Sequence, residues 1–421
     1  MKLKRASQLR STVLIFLAVV GPGIITANVD NDAGGILTYS QAGAQFGYSL
    51  LWTLIPITVA LIVVQEMVAR MGVVSGKGLA DLIREEYGFR TTFFLMLLLL
   101  AADLGNTISE FAGLASGMGV LGVSRFIVVP LGAFLVWLLV VKGSYRTVEK
   151  VFLAACVFYL SYPISCFLAH PHWSHALRST VVPTFRFNST YLYMTIGLVG
   201  TTISPWMQFY LQSAVVEKGV KVKHYKQSRW DVMVGCLMTD IVSFFIIAAC
   251  AATLFVSGHR DIGDAGQAAL ALRPLAGRAA SALFAFGLCN ASLFSASILP
   301  LATAYYVCEG LGLESGINKK PREAPAFYAL YTGLIVVGAL TVILLSEQKQ
   351  VPVILFTQVV NGILLPFVLI FMLRLANRKD LMGEYRNSGP FNAIAWTTCI
   401  VMIALTVFLA VSPFVPKHFT G

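Results

Sequence analysis

The chain of 421 residues is 57% hydrophobic and only 12% charged, with a mean hydropathy of +0.76. A soluble globular domain carries about 25% charged residues, so that class is excluded and most of the surface must face lipid. The net charge of +11 does not imply a nucleic-acid partner, because the basic residues fall in particular short loops rather than along one face.

In chain order, apolar stretches lie near 12–45, 48–69, 91–118, 122–141, 148–168, 190–216, 230–257, 279–311, 325–346, 351–374 and 391–415, which predicts eleven membrane spans in a single domain over 1–421. The N-terminal MKLKRASQLR followed by an apolar run imitates a secretory leader, but no small-residue cleavage site follows. It is read as the start of a mature first span. If that basic end is cytoplasmic, the loops after even-numbered spans should be cytoplasmic and basic as well. They are: Arg70, Lys77, Arg84 and Arg90 follow span 2, Lys142, Arg146 and Lys150 follow span 4, and Lys218, Lys221, Lys223, Lys226 and Arg229 follow span 6. Lys319, Lys320 and Arg322, then Arg374, Arg378, Lys379 and Arg386, continue the trend. The first loop has no Lys or Arg and the ninth only Lys349, while Arg260, Arg273 and Arg278 of the seventh call for an amphipathic surface segment. An odd number of spans then puts the C-terminus outside the cell membrane, the inner membrane of a bacterium.

Cys156, Cys166, Cys236, Cys250, Cys289, Cys308 and Cys399 lack zinc-ligand spacing and nearly all fall in apolar runs, so they are read as small hydrophobes with no disulfide framework.

Spans 1 and 6 carry backbone breakers in mid-membrane, at corresponding places in two five-span halves. Asn28, Asp30, Asn31, Asp32, Ala33, Gly34 and Gly35 interrupt the first, and Gly200, Thr201, Thr202, Ile203, Ser204 and Pro205 the sixth. Irregular backbone at that depth survives only where protein or water covers it. Half-helix C-terminal ends favour a cation there, and intramembrane aspartates sharpen that preference.

Around these residues the sequence becomes familiar. The run GPGIITANVDNDAGGILTYSQAGAQFGYSLLW (21–52) resembles the first helix of the NRAMP family of divalent metal transporters, and GVVSGKGLADLIREEYG (72–88), GTTISPWMQFYLQSA (200–214), TQVVNGILLPF (357–367) and MGEYRN (382–387) are similar to further family landmarks. The resemblance implies an all-α LeuT-type fold: two inverted five-helix repeats, about 12–168 and 190–374, and a peripheral eleventh helix, 391–415. Typical members bind metal through the Asp and Asn of Asp-Pro-Gly-Asn; the matching positions here are Asp32, Ala33, Gly34 and Gly35. Their sixth-helix Met-Pro-His, whose thioether touches the metal, is matched by Ser204, Pro205 and Trp206. In this respect the chain is similar to the NRAMP-related magnesium transporters.

Thioethers suit soft transition metals, whereas carboxylate, carbonyl and water oxygens suit Mg²⁺, Ca²⁺ and Mn²⁺. Mg²⁺ dehydrates reluctantly and keeps several waters. Gly35 and Ser204 are therefore expected to leave a roomy, hard site in which Asp32 supplies charge, the carbonyls of Asn31, Thr202 and Ile203 supply dipoles, and waters fill the rest. Gln358 matches the family's tenth-helix amide, and Gln208 could hold a water of the hydrated ion. Asp103 and Asp240 read either as an ion pathway or proton relay or as structural carboxylates. Trp206 and Gln212 stand where the family's sixth helix has histidine, and the loss of that titrating group argues for passive, voltage-driven uptake. A negative-inside potential contributes about 2.3 kcal/mol per charge per 100 mV, and roughly twice that for a divalent ion.

The run His170, Pro171, His172, Trp173, Ser174 and His175 is read as a solvated loop, and Asn188, Ser189 and Thr190 fit a glycosylation acceptor. No nucleophile, base and orienting group recur together, and the glycines lack a P-loop context, so no enzyme is expected. The expectation is a monomeric transporter without resident cofactor, working by alternating access on Mg²⁺ and also Mn²⁺. Its rivals are a proton-coupled Mn²⁺ or Fe²⁺ symporter, a sodium-coupled carrier of small organic solutes, and a non-transporting membrane sensor.

Overall fold

The computed structural model describes residues 21–186, 188–262, 265–345 and 347–411. Besides shorter turns, these form α1 (Pro22–Asn28), α2 (Ala33–Phe46), α3 (Leu54–Ser75), α4 (Leu79–Val120), α5 (Arg125–Lys142), α6 (Tyr145–Val157), α7 (Ser161–Leu168) and α8 (Trp173–Val181). Then follow α9 (Ser189–Thr202), α10 (Pro205–Glu217), α11 (Tyr225–Cys250), α12 (Ala265–Leu311), α13 (Pro325–Leu344), α14 (Glu347–Ala376) and α15 (Gly389–Val411). No strand occurs among the described residues.

Nine helical runs among the described residues are long and apolar enough to cross a bilayer. The difference from the eleven expected stretches has a physical cause. Span 6 is split into α9 and α10, each too short to cross alone, and the second half of span 1, α2, runs on through a 3-10 turn into α3. Residues 12–20 of the expected first span and 412–415 of the last lie outside the described residues.

Local chemistry sets the ends. Ser124 and Ser144 cap α5 and α6 by accepting from the N–H groups of Phe126 and Thr147. Asn188, the expected glycosylation acceptor, caps α9 by accepting from Tyr191 N at 2.8 Å. Gly88 and Gly277 take φ values of 80° and 85°, a left-handed corner that glycine tolerates. They separate the leading pieces 79–87 and 265–276 from the crossing parts of α4 and α12. The second piece buries Ala268, Ala269 and Leu272 and exposes Arg273 and Arg278 beyond it, the amphipathic segment that the seventh loop required. Phe93, Phe94, Leu97 and Leu98 of α4 and Leu131, Phe134 and Leu135 of α5 are exposed apolar residues that a lipid environment would cover. All seven cysteines are free and buried.

Helices associate in lipid by close packing of small residues, because burial of apolar surface gives no drive there. At Gly200 of α9 a Cβ would lie 2.2 Å from the Gln358 carbonyl oxygen and 2.5 Å from Gly362 N of α14. Gly200→Ala must therefore push these two backbones apart. The expected cost is about 1–3 kcal/mol, seen as a lower unfolding midpoint of the purified protein; an unchanged midpoint would contradict this packing.

Candidate metal site

The first interruption is shorter than its breakers suggested. α1 stops at Asn28, whose side-chain amide turns back to the Ile24 carbonyl (2.8 Å). Val29–Asn31 form a 3-10 turn, Asp32 is extended, and α2 restarts at Ala33. Gly34 and Gly35, expected inside the break, are instead first-turn residues of α2. Asp32 occupies the N-cap: its Oδ1 accepts from Gly35 N at 2.6 Å, and its carbonyl accepts from Ile36 N at 2.8 Å. The expectation that Gly35 opens space also changes, since a Cβ there would lie 2.2 Å from the Asp30 carbonyl oxygen and 3.2 Å from Thr201 Oγ1. The missing side chain lets the 3-10 turn and α9 close onto α2, and Gly35 serves Asp32 through its N–H.

The second interruption is narrower too, for Gly200, Thr201 and Thr202 are the last turn of α9. Ile203 (φ −119°, ψ 58°) and extended Ser204 make the break, and Pro205 opens α10. Proline has no N–H to give the Thr201 carbonyl four residues back. The Ser204 hydroxyl lies 3.1 Å from that oxygen and 2.8 Å from the Gly200 carbonyl, so it answers acceptors freed by the break. Gln208 Nε2 donates to the Ser204 carbonyl (3.2 Å), and its Oε1 accepts from Gln65 (3.4 Å). Trp206 is fully buried beside Tyr210. The two interruptions touch: Tyr39 of α2 and Thr202 of α9 are hydrogen-bonded at 2.7 Å. With α1 and α9 both ending here, two negative helix ends converge on the region.

Gln358 of α14 joins this group, its Nε2 lying 2.1 Å from where a Gly34 Cβ would stand. Its amide continues into a chain: Asn361 donates to Gln358 Oε1 (3.4 Å) and Asn106 Oδ1 (3.0 Å), and Asn106 donates to Asp103 (2.9 Å). The other Asp103 oxygen accepts from Thr303 (3.0 Å) and Tyr306 (2.9 Å). Asn31 turns its side chain away from this group, donating to the Thr239 carbonyl (3.1 Å) and hydroxyl (2.6 Å) of α11 and accepting from Ser243 (3.0 Å). Only its backbone is left for the role assigned to it. Asp240, next to Thr239, lies on that same α11 side.

Glu110 is the residue that sequence reasoning passed over. Its Oε2 accepts from Ala33 N at 3.2 Å, which places its carboxyl group beside Asp32 at the start of α2. The signal existed, because Asp103, Asn106 and Glu110 stand at i, i+3 and i+7, one face of α4. The hydroxyls of Ser109, Thr201 and Ser292 border the same region without a protein partner.

Asp32 is only 5% exposed. On one side, Gln41 of α2 bonds the Arg260 carbonyl (2.9 Å) and Ile262 N (3.0 Å), pinning the loop after α11 across it. On the other, Asp231 of α11 accepts from the N–H groups of Gly21, Gly23 and Ile24 at 3.1, 2.7 and 3.2 Å and fixes the start of α1. No group of three or more His, Cys, Asp or Glu able to hold a metal occurs among the described residues. The histidines at 170, 172 and 175 are exposed where α8 begins. Neither interruption carries sulfur, so the donors at hand are carboxylate, carbonyl, hydroxyl and amide oxygens, a hard set.

The chain matches, over residues 23–412, the family model described as natural resistance-associated macrophage protein-like, Nramp. Its structure resembles that of the Eremococcus coleocola manganese transporter in complex with an aromatic bis-isothiourea substituted compound, with TM-score 0.76 and 21% identity over 94% of this chain and 86% of that one. A histidine-to-alanine mutant of that transporter gives TM-score 0.76 and 20% identity over 96% and 90%. A nucleobase-cation-symport-1 family transporter in a closed conformation is also similar, with TM-score 0.59 and 14% identity over 93% of each chain. At these identities the likeness concerns the fold, which is the all-helical LeuT type with its first and sixth spans broken.

Proposed function

This chain belongs to the Nramp family of divalent metal transporters, and on that premise we propose that its preferred cargo is Mg²⁺, with Mn²⁺ also accepted, moved by alternating access without an obligatory proton. The observation that carries this reading is the oxygen-only donor set at the two interruptions, where Ser204 occupies the place of a thioether and Asp32 supplies the charge. Mg²⁺ is commonly held through one or two carboxylates with several waters retained. Asn31, Thr202 and Ile203 offer carbonyls, Gln358 and Gln208 offer amides, and the unpartnered hydroxyls of Ser109 and Thr201 can bind the waters of such an ion.

In the expected mechanism the ion reaches Asp32 when one side opens and leaves when the other does. The clasps at Gln41 and at Asp231 release in turn. The membrane potential supplies the drive, as no histidine lies deep in a described span to carry a proton back.

A second reading, proton-coupled Mn²⁺ or Fe²⁺ symport, is favoured by one contact. Glu110 accepts from Ala33 N beside Asp32, and two buried carboxyl groups brought together at the start of α2 favour holding a proton. Reconstituted liposomes separate the two readings. The expected result is Mg²⁺ uptake that responds to a K⁺ diffusion potential, is indifferent to an imposed pH gradient and does not acidify the lumen. Acidification in step with metal entry would establish the second reading instead. In the same assay Ser204→Met is expected to raise the ratio of Mn²⁺ to Mg²⁺ uptake several-fold, since a thioether favours the softer ion; an unchanged ratio would remove the argument from Ser204.

A further inference from the structure

The buried acids of this chain divide sharply by what they are bonded to. Asp231 accepts from three N–H groups, Asp103 from three side chains, Asp32 from Gly35 N, Glu110 from Ala33 N, and Glu309 from Ser213. Asp30 and Asp240 are 1% and 5% exposed, and all four of their carboxylate oxygens lack a hydrogen-bond partner. Neither forms an ion pair with a described Lys, Arg or His.

The two carboxylates belong to one locus. Asn31, adjacent to Asp30, is bonded to Thr239, adjacent to Asp240, which fixes the 3-10 turn between α1 and α2 against α11. Asp30 and Asp240 act electrostatically on each other across this contact, and Cys236 is buried one turn before Asp240. The Thr58 hydroxyl donates to the Leu54 carbonyl at 2.7 Å. Tyr39 also borders the pair. The Thr202 hydroxyl donates to Leu198 O (2.8 Å), so the Tyr39 hydroxyl is the donor in their shared bond and turns its lone pairs elsewhere. Among the described residues no side chain is hydrogen-bonded to either carboxylate.

Burying one uncompensated carboxylate costs several kcal/mol, and two side by side cost more. Two negative charges with free lone pairs and no neighbouring cationic side chain match one divalent hard cation in both charge and ligand type. We propose that Asp30 and Asp240 form a second divalent-cation site, separate from the Asp32 site and linked to it through Tyr39 and Thr202. Its occupant neutralises the interface between the first interruption and α11.

Counting bound ions on the purified full chain tests this, with Mn²⁺ as the paramagnetic probe, Mg²⁺ as competitor and free Mn²⁺ read by electron paramagnetic resonance. The wild-type chain is expected to bind two ions, Asp30→Asn/Asp240→Asn one, and Asp32→Asn one. A wild-type count of one that is lost in Asp32→Asn and kept in the double variant overturns the second site and leaves the Asp32 reading standing. The reverse pattern overturns the Asp32 reading and leaves this one. The amides keep the shape of the acids, and gel filtration checks folding. A second readout is the unfolding midpoint in chelator: the double variant should unfold at a higher temperature than the wild type and be stabilised less by Mg²⁺, through the Asp32 site alone. A lower midpoint in chelator, with Mg²⁺ stabilising the double variant as much as the wild type, would overturn the site as well.

Discussion

Asp32→Ala is expected to abolish Mg²⁺ uptake while leaving the helices assembled. The residue does two separable things: its Oδ1 caps α2 through Gly35 N, and its charge faces the place where two helix C-termini converge. Loss of an N-cap costs about 1 kcal/mol, small against a folding free energy on the order of 5–15 kcal/mol. Loss of the charge is far larger for a divalent ion. One unit pair at 4 Å and an effective dielectric constant near 20 interacts by about 4 kcal/mol, and a double charge by roughly twice that. Even after desolvation is subtracted, several decades of site occupancy go with it. Asp32→Asn separates the two roles, because an amide oxygen still caps Gly35 N but brings no charge. Both variants should be recovered folded in wild-type yield, and both should be silent in liposome flux. Uptake by Asp32→Asn at wild-type rate would move the transport site elsewhere, and Glu110 would be the first place to look.

The sequence revealed as much as it did because lipid imposes simple rules. Apolar run length is a one-dimensional signal, and α3 to α7 and α11 to α15 lie where it puts them. Breakers in spans 1 and 6 likewise announced the interruptions. Their extent was harder to see, because Gly34, Gly35 and Gly200 are there for close approach to Asp30, Thr201 and α14 rather than to end a helix. A glycine serving contact and a glycine serving a bend look the same in sequence. Ser204 was legible as a missing thioether but not as the donor to two freed carbonyls, which depends on Pro205 and the actual backbone path. Glu110 and Asp30 were visible as acids; what gives them meaning is the partner across the gap, Ala33 N for one and unpartnered Asp240 for the other. Such pairings join residues 77 or 210 positions apart, and no local pattern encodes them.

The same long-range logic gives MGEYRN (382–387), noted only as a familiar run, a structural role, and Arg70→Ala is expected to expose it as a large loss of stability. Arg70 of α3 is buried, and its guanidinium donates to the carbonyls of Tyr385 (3.0 Å) and Arg386 (3.2 Å) and to Asn387 Oδ1 (2.5 Å), with Glu66 at 3.4 Å and the Phe391 ring 5.6 Å away. Asn387 passes the connection on to Asn392 of α15 (2.9 Å), and Tyr225 of α11 donates to Glu66. One side chain thus ties α3 to the segment between α14 and α15. Removing one member of a buried pair costs about 3–5 kcal/mol, because the partner keeps its charge without compensation. Tyr225 still bonds Glu66, which places the expected loss at the lower end of that range. Lysine would keep the charge, yet its single ammonium cannot present the planar fork that reaches three acceptors, so Arg70→Lys should fall between alanine and wild type. Unfolding midpoints in detergent, compared with Glu66→Gln alone and in combination, check the account. If Arg70→Ala and Arg70→Lys both unfold with the wild type, the clamp carries no energy and MGEYRN needs another explanation.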